Sequence, residues 1–449
     1  MNTRSSWGSQ LGFILSAAGS AIGLANIWRF PYIVGENGGA AFVCLYLICL
    51  ALIGFPVLIA EVVLGREAKS SPVGAFRQLG GSPKWSGAGR LAVLTALIVS
   101  AFYSAIAGWL VGYLFEAIGG VLSHFTSPEL AEEHFVQHIG NPWWCLGGHV
   151  IFIGMCTAIL YFGVRGGIER ASLFLMPLLV FLLVLVAVKG LMMEGAEKGI
   201  DFLFTPNWST LTPTAVLLAL GQSFFTLSLG QGTMITYGSY LSRQDNIVKS
   251  CFPVALMDTF ISLIASIAVF TIVFSVGMQP NSGPGLLFET LPVVFSFIPA
   301  GYLLSVMFFL IVLIAAVTSE ISALEPIICY LIDEKLWHRK TAVSVTCLTA
   351  FVLGIPCALS HNLLQHITFG SMSILDFVSH LASSLLIPIG GFLSVIAIGW
   401  RFGLQRTFTH LAMGATQLGP LSRFYFRLTI KYTAPLLILI VFLHTIGML

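Results

Sequence analysis

Long apolar stretches alternate with short polar ones from residue 11 almost to the end of the 449-residue chain. A bilayer core is crossed by about 20 predominantly apolar residues in helical form, and the run from Ala40 to Ala60 meets that length. Eleven helical spans are predicted, at 11–34, 39–64, 87–119, 147–163, 168–190, 212–240, 247–277, 301–334, 341–358, 366–399 and 424–447. Several exceed a straight span, which implies tilt or extension beyond the bilayer. In lipid every backbone polar group needs an internal partner, so only helices and closed barrels cross. A barrel is written in ten-residue alternating segments, and none dominates here. The predicted class is an all-α polytopic membrane protein. No linker rich in Pro, Ser or charge divides the chain, so residues 1–449 are read as a single transmembrane domain.

The polar segments carry an orientation signal. Basic residues gather in alternate loops: Arg66, Lys69, Arg77, Lys84 and Arg90; Arg165 and Arg170; Arg243 and Lys249; Lys335, Arg339 and Lys340; then Arg401, Arg406, Arg423 and Arg427. With Arg4 and Lys431, eighteen of the twenty-one Lys and Arg fall on one side. Lys189 and Lys198 fall opposite, and Arg29 lies near a helix end. The loop around Glu129, Glu132 and Glu133 carries no Lys or Arg. Positive loops mark the cytoplasm, which predicts a cytoplasmic N-terminus and, after eleven spans, an outside C-terminus. The cell (inner) membrane is the expected location.

Composition strengthens this picture. Hydrophobic residues make up 57% of the chain and charged ones 9%, against about 25% charged in soluble domains. No basic tract is present to hold nucleic acid. The eight cysteines include Cys44, Cys49, Cys251, Cys329 and Cys347 inside apolar spans, without paired ligand spacing, which argues against a disulfide framework or a zinc site. The N-terminus lacks a short apolar stretch with a small-residue cleavage site, so no signal peptide is expected.

Two spans are interrupted mid-membrane. The first contains Gly19-Ser20-Ala21-Ile22-Gly23-Leu24-Ala25-Asn26, and the sixth contains Thr226-Leu227-Ser228-Leu229-Gly230-Gln231-Gly232. Glycine in a helix interior costs up to about 1 kcal/mol against alanine, so clustered glycines weaken the helix. Close helix packing through small residues is one reading. The other follows from correspondence. Spans one and six each lead a five-helix block, and paired interruptions in two halves point to a substrate site between inverted repeats.

These residues carry a resemblance. Asn26-Ile27-Trp28-Arg29-Phe30-Pro31-Tyr32 with Glu36-Asn37-Gly38-Gly39-Ala40-Ala41-Phe42 is similar to the first-helix signature of the neurotransmitter:sodium symporters. Ser223-Phe224-Phe225-Thr226-Leu227-Ser228-Leu229-Gly230 resembles their sixth-helix signature, with Phe102-Tyr103 in span three and Ala315-Ala316-Val317-Thr318-Ser319 in span eight. The match runs from Arg4 to the last span. It implies the LeuT fold, a 5+5 inverted repeat with broken helices 1 and 6. The halves are expected at about 11–190 and 212–399, with an extra helix at 424–447. Family members usually have twelve helices; this chain is expected to stop after eleven.

The resemblance also implies ligands. A first sodium site is expected from the Ala21 carbonyl, Asn26, Thr226 and Asp258, completed by a substrate carboxylate. A second is expected from the Gly19, Ile22 and Ala315 carbonyls with Thr318 and Ser319. The alternative for the two hydroxyls is packing against another helix. The substrate pocket is expected to combine backbone N–H groups at the break, the Tyr103 hydroxyl and the carbonyls of span six. Its predicted residues are Ala21, Gly23, Ala25, Val99, Tyr103, Phe225, Thr226, Ser228, Gln231, Ser319 and Ala323. Helix N-termini favour a carboxylate and C-terminal carbonyls an ammonium, which suits a zwitterion. Monoamine transporters of the family carry an aspartate at the position of Gly23, so an amino acid is favoured, neutral and hydrophobic or aromatic. Phe225 and Val99 also read as ordinary core packing, and Gln231 as a partner for a polar substrate group or for freed backbone.

Arg29 and Asp376 match the outer charged gate, with snorkelling of Arg29 as the alternative. Arg4, Trp7, Tyr240 and Asp333 match the cytoplasmic gate; a surface salt bridge between Arg4 and Asp333 is the plainer reading. Gly167 and Pro177 match a motif for unwinding of span five, or a simple kink. Tyr46, Gln222, Thr226 and Ser262 match the chloride-site quartet of animal relatives. Asp258, one helical turn before Ser262, supplies negative charge there, so chloride is not expected to be required. Glu320 and Glu325 depart from the family pattern and are expected to be buried polar partners. The predicted function is a sodium-coupled amino-acid importer working by alternating access, with a non-transporting membrane sensor as the alternative. No enzyme is expected, since Glu61, Glu320 and the scattered histidines form no recognisable nucleophile or metal set. A channel is disfavoured by the lack of a charged ring or filter motif.

Overall fold

The computed structural model describes residues 5–125, 127–277, 286–414 and 418–445. Its first apolar span is two helices, α1 (Gln10–Ala21) and α2 (Ala25–Glu36), bent by 56° at the small-residue break. There follow α3 (Ala40–Ala68), α4 (Pro72–Leu79), α5 (Pro83–Ile118), α6 (Pro128–Ile139), α7 (Pro142–Tyr161), α8 (Val164–Leu191) and α9 (Ala196–Phe204). The second half comprises α10 (Pro213–Phe225), α11 (Thr233–Ser239), α12 (Ile247–Ser275), α13 (Leu286–Phe297), α14 (Gly301–Lys335), α15 (Arg339–Ala358), α16 (Ile374–Ala412) and α17 (Pro420–Thr445). Among the described residues, nine helices are long and apolar enough to cross a membrane, ten if α1 and α2 count as one span. The sixth predicted span is the pair α10 and α11, each too short alone, so the expected count of eleven is not reached by length.

Burial separates centre from rim. In their most apolar windows α14 is 72% buried and α5 67%, while α8 and α17 are each 33% buried. The outer helices present large apolar side chains such as Phe181, Leu185, Leu348 and Val352 to the surroundings. Contiguous exposed apolar surface is unfavourable in water and natural against lipid.

Some boundaries differ from expectation. The tenth span starts at Ile374, because Thr368–Phe369 and Met372–Ser373 pair as an antiparallel hairpin, and it runs on to Ala412. Helices α4, α6, α9 and α13 were not predicted. They are short pieces outside the long apolar runs, and α4, α6 and α9 each begin after a capping residue or a left-handed glycine: Ser71, Ser127 and Gly195. No unwinding separates Gly167 from Pro177; α8 stays helical through both.

Helices α3 and α11 touch backbone to backbone. A Cβ on Gly65 would stand 1.8 Å from the Ile235 carbonyl oxygen, and one on Gly238 2.5 Å from that of Val62. Only glycine permits such an approach.

Candidate functional site

The two interruptions lie side by side. Helix α1 stops as Ile22 turns extended (ψ 94°), which frees its last carbonyls. Between α10 and α11 the backbone is left-handed at Ser228 (φ 52°), Gly230 (φ 77°) and Gly232 (φ 79°). Glu61 of α3 braces this segment: its Oε1 accepts from the Gly230 N–H at 2.9 Å and from the Ser394 hydroxyl at 3.1 Å. The Ser20 carbonyl joins the two breaks to α14, accepting from the Ser228 hydroxyl at 2.7 Å and the Ser319 hydroxyl at 3.2 Å.

Asn26, Thr226 and Asp258 meet in one buried cluster. The Asn26 amide NH2 faces Asp258 Oδ1 at 2.7 Å, Ser262 Oγ at 2.8 Å and Thr226 Oγ1 at 3.1 Å. The Thr226 hydroxyl donates to Asp258 at 2.8 Å, and the Tyr46 hydroxyl donates to the other carboxylate oxygen at 3.1 Å. The Asn26 oxygen accepts from the Gly23 N–H at 3.1 Å. Three of the four chloride-quartet residues are therefore bound into the Asp258 network. The fourth, Gln222, is buried with neither amide atom partnered among the described residues.

The second expected cluster also assembles. Thr318 and Ser319 of α14 pack against the end of α1, where a Cβ on Gly19 would lie 3.2 Å from that of Thr318. The Thr318 hydroxyl back-bonds to the Ile314 carbonyl at 3.0 Å and reaches the Ala315 carbonyl at 3.2 Å. Ser322, not singled out from the sequence, donates to Ser20 Oγ at 2.7 Å. It sits one turn beyond Thr318, a spacing that marks one helix face.

Ala21, Gly23, Ala25, Val99, Tyr103, Phe225, Ser228, Gln231, Ser319 and Ala323 line a single small cavity of about 30 Å³. Leu24, Glu320 and Ile387 complete its wall. Thr226 is absent from that wall; its hydroxyl points to Asp258 instead. The Tyr103 hydroxyl accepts from the Leu24 N–H at 3.3 Å. A Cβ on Gly23 would lie 3.0 Å from both the Tyr103 and Ser319 oxygens, so the glycine leaves this corner open and brings no charge of its own. Gln231 Oε1 has no hydrogen-bond partner among the described residues. The Glu320 carboxyl makes no well-formed hydrogen bond there, against the polar partner expected of it; the Ser100 hydroxyl is its polar neighbour.

Tyr103 and Phe225 divide the cavity from a vestibule of about 480 Å³ that Arg29 and Asp376 also line. The two charges form no ion pair there. The Arg29 guanidinium lies 5.3 Å over the Phe225 ring, and Asp376 accepts from the Ser373 hydroxyl at 2.7 Å. On the opposite side the indole of Trp7 donates to the Tyr237 carbonyl at 3.0 Å and meets the Tyr237 and Tyr240 rings edge-on. Tyr240 donates to Glu325, whose carboxylate takes both arms of the Arg339 fork at 2.8 Å, which gives Glu325 the polar partners expected of it. Asp333 accepts from the Ser71 N–H at 2.6 Å, while Arg4 lies outside the described residues. A cavity of about 640 Å³ beyond Tyr240 shares no lining residue with the small one.

Known proteins match this chain end to end. A solved structure, that of MhsT in complex with L-phenylalanine, superposes with a TM-score of 0.90 at 40% identity, covering 99% of this chain and 100% of that one. The uncharacterized sodium-dependent transporter YhdH of Bacillus subtilis (strain 168) is 36% identical over 99% of this chain and 98% of its own length. An uncharacterized sodium-dependent transporter of Haemophilus influenzae is 33% identical over 99% and 98%. The profile of the Sodium:neurotransmitter symporter family matches residues 4–128 and 121–449. A multi-pass membrane bundle with this site and these relatives has one assignment: the chain belongs to the sodium:neurotransmitter symporter family, whose members are transporters, and it has their LeuT fold.

Proposed function

We propose that the protein couples inward sodium movement to uptake of a neutral hydrophobic or aromatic amino acid by alternating access across the cell membrane, with its N-terminus cytoplasmic. The observation that carries this reading is the lining of the cavity at the paired breaks. At about 30 Å³ the cavity has to widen to admit a substrate, as by movement of the Tyr103 and Phe225 side chains it shares with the vestibule. Gly23 brings no charge to that lining, the end of α1 offers carbonyls to an ammonium, and Tyr103 with the start of α2 offers donors to a carboxylate. MhsT, whose structure this chain shares, was solved in complex with L-phenylalanine. The Asn26, Thr226 and Asp258 cluster and the Thr318 and Ser319 face are the proposed ion sites, and residues 11–190 and 212–399 the proposed repeats. The Asn26 NH2 turns the positive end of its dipole toward Asp258; a sodium ion satisfies the same acceptors with a full charge. Each charge moved inward gains about 2.3 kcal/mol per 100 mV, enough to drive accumulation. The test is uptake of the twenty amino acids into proteoliposomes. Accumulation only with a sodium gradient is expected; equal uptake in potassium refutes coupling, and binding without accumulation favours a sensor.

Transport is expected to be independent of chloride. The Tyr46 and Thr226 hydroxyls, donors that a chloride would need, already serve the Asp258 carboxylate. An anion one helical turn away, about 5–6 Å, would meet repulsion of about 3 kcal/mol at an effective dielectric of 20. Replacing chloride by gluconate should leave wild-type uptake unchanged and lower that of Asp258→Asn by roughly tenfold or more, since 1.4 kcal/mol is one decade. Loss of wild-type uptake in gluconate would overturn the proposal.

Arg29 and Asp376 line the same vestibule, and closing that path is their proposed role. Arg29→Ala and Asp376→Ala should each impair uptake more than sodium-dependent binding. Unchanged uptake in both, at normal expression, returns Arg29 to its contact with Phe225.

A further inference from the structure

We propose that Glu116, His134 and His138 form a binding site for one divalent transition-metal ion, zinc by preference, that clips α6 to the end of α5. His134 and His138 stand four residues apart on α6, with ring centroids 4.0 Å apart. Glu116, in the last turn of α5, reaches both: Oε2 lies 2.7 Å from His134 Nε2 and Oε1 lies 2.9 Å from His138 Nε2. The three ligand atoms all fall within 4.8 Å of one another.

The tautomers decide what can sit between these groups. His138 Nδ1 lies 2.7 Å from the His134 carbonyl oxygen. A carbonyl only accepts, so Nδ1 holds a hydrogen. In the neutral ring Nε2 is then a bare lone pair aimed at a carboxylate oxygen. Two lone pairs at that distance repel, so a positive centre belongs between them, either a second ring proton or a metal ion. Holding the distal imidazole nitrogen on a backbone carbonyl is how proteins orient histidine ligands. Zinc–nitrogen and zinc–oxygen bonds of about 2.0–2.2 Å put tetrahedral ligand atoms about 3.4 Å apart, so each histidine nitrogen needs to draw back from its Glu116 oxygen by roughly 0.5–0.7 Å.

The surroundings fit a cation. Residues 91–164 contain no Lys or Arg, whereas Glu129, Glu132 and Glu133 sit on α6 itself. Phe125 and Trp144 hold the two rings edge-on at 4.9 and 5.1 Å. The side chains keep 15–23% of their exposure, which admits an ion and leaves a fourth position for water. The sequence hid the set, because Glu116 stands eighteen positions before His134.

The test uses the full chain, purified with any histidine tag removed and stripped of metal by chelator. Calorimetric titration with zinc chloride is expected to show one ion per chain, and cobalt(II) a visible spectrum of low coordination number. Glu116→Gln and His138→Ala should each weaken zinc binding roughly tenfold or more and abolish the cobalt bands. His124→Ala, exposed and outside the cluster, should leave both unchanged. Thermal midpoints without metal show whether each variant is folded; the near-isosteric Glu116→Gln is the deciding one. Absence of stoichiometric binding in the wild type, or equal binding in Glu116→Gln, refutes the site and leaves a protonated His138 paired with Glu116.

Discussion

Asn26→Leu is expected to abolish sodium-stimulated substrate binding. The amide group bridges three acceptors from two other helical segments, Thr226 of the α10–α11 break and Asp258 and Ser262 of α12. Leucine removes the donor and the oxygen together and places a branched apolar group against a buried carboxylate. Hydrogen bonds to charged groups contribute about 1.5–3 kcal/mol each, so loss of the Asp258 contact alone weakens the cluster by one to two decades. Equilibrium binding of labelled amino acid in sodium and potassium buffers measures the effect. A variant that still binds better in sodium would remove Asn26 from the ion site.

Gly230→Ala is expected to lower the thermal midpoint and eliminate uptake. At φ 77° a side chain costs about 1–2 kcal/mol, and the new Cβ would stand 2.0 Å from the Ile387 carbonyl oxygen. That oxygen belongs to backbone, so α16 must retreat, and forced packing adds about 1–3 kcal/mol. Gly370→Ala is the control. Its φ is 66° with nothing within 4 Å of the added carbon, so it bears the backbone cost alone. Equal midpoints for the two variants would mean that the break tolerates a side chain.

Legibility followed length and spacing. The breaks at 19–26 and 226–232 were written in clustered glycine and serine, and the long spans in apolar runs that exceed a bilayer. The ordered motifs pointed to Asn26, Thr226 and Asp258 as one group, and the fold brings them within hydrogen-bonding distance. Helices α4, α6 and α9 escaped because they are short and half polar, so a window tuned to twenty apolar residues averages them away. Glu320 shows another limit. Its burial was foreseeable from its neighbours in span eight, but its place in the cavity wall depends on how α14 rotates against α5. The separation of Arg29 from Asp376 was equally hidden, because it depends on whether the path above Tyr103 stands open.

The glycine contact between α3 and α11 has a mechanical corollary. Two backbones in direct touch leave no layer of side chains to shear, so a tilt of either helix would carry the other with it as a lever. Along α3 that lever runs from Tyr46, on the Asp258 carboxylate, to Gly65, against Ile235: nineteen residues (65 − 46), or about 28 Å at 1.5 Å each. One turn short of that far end, Glu61 grips Gly230. A change at Asp258 would therefore act on the same helix that meets α11 at its other end, beside Tyr237, whose ring Trp7 meets edge-on.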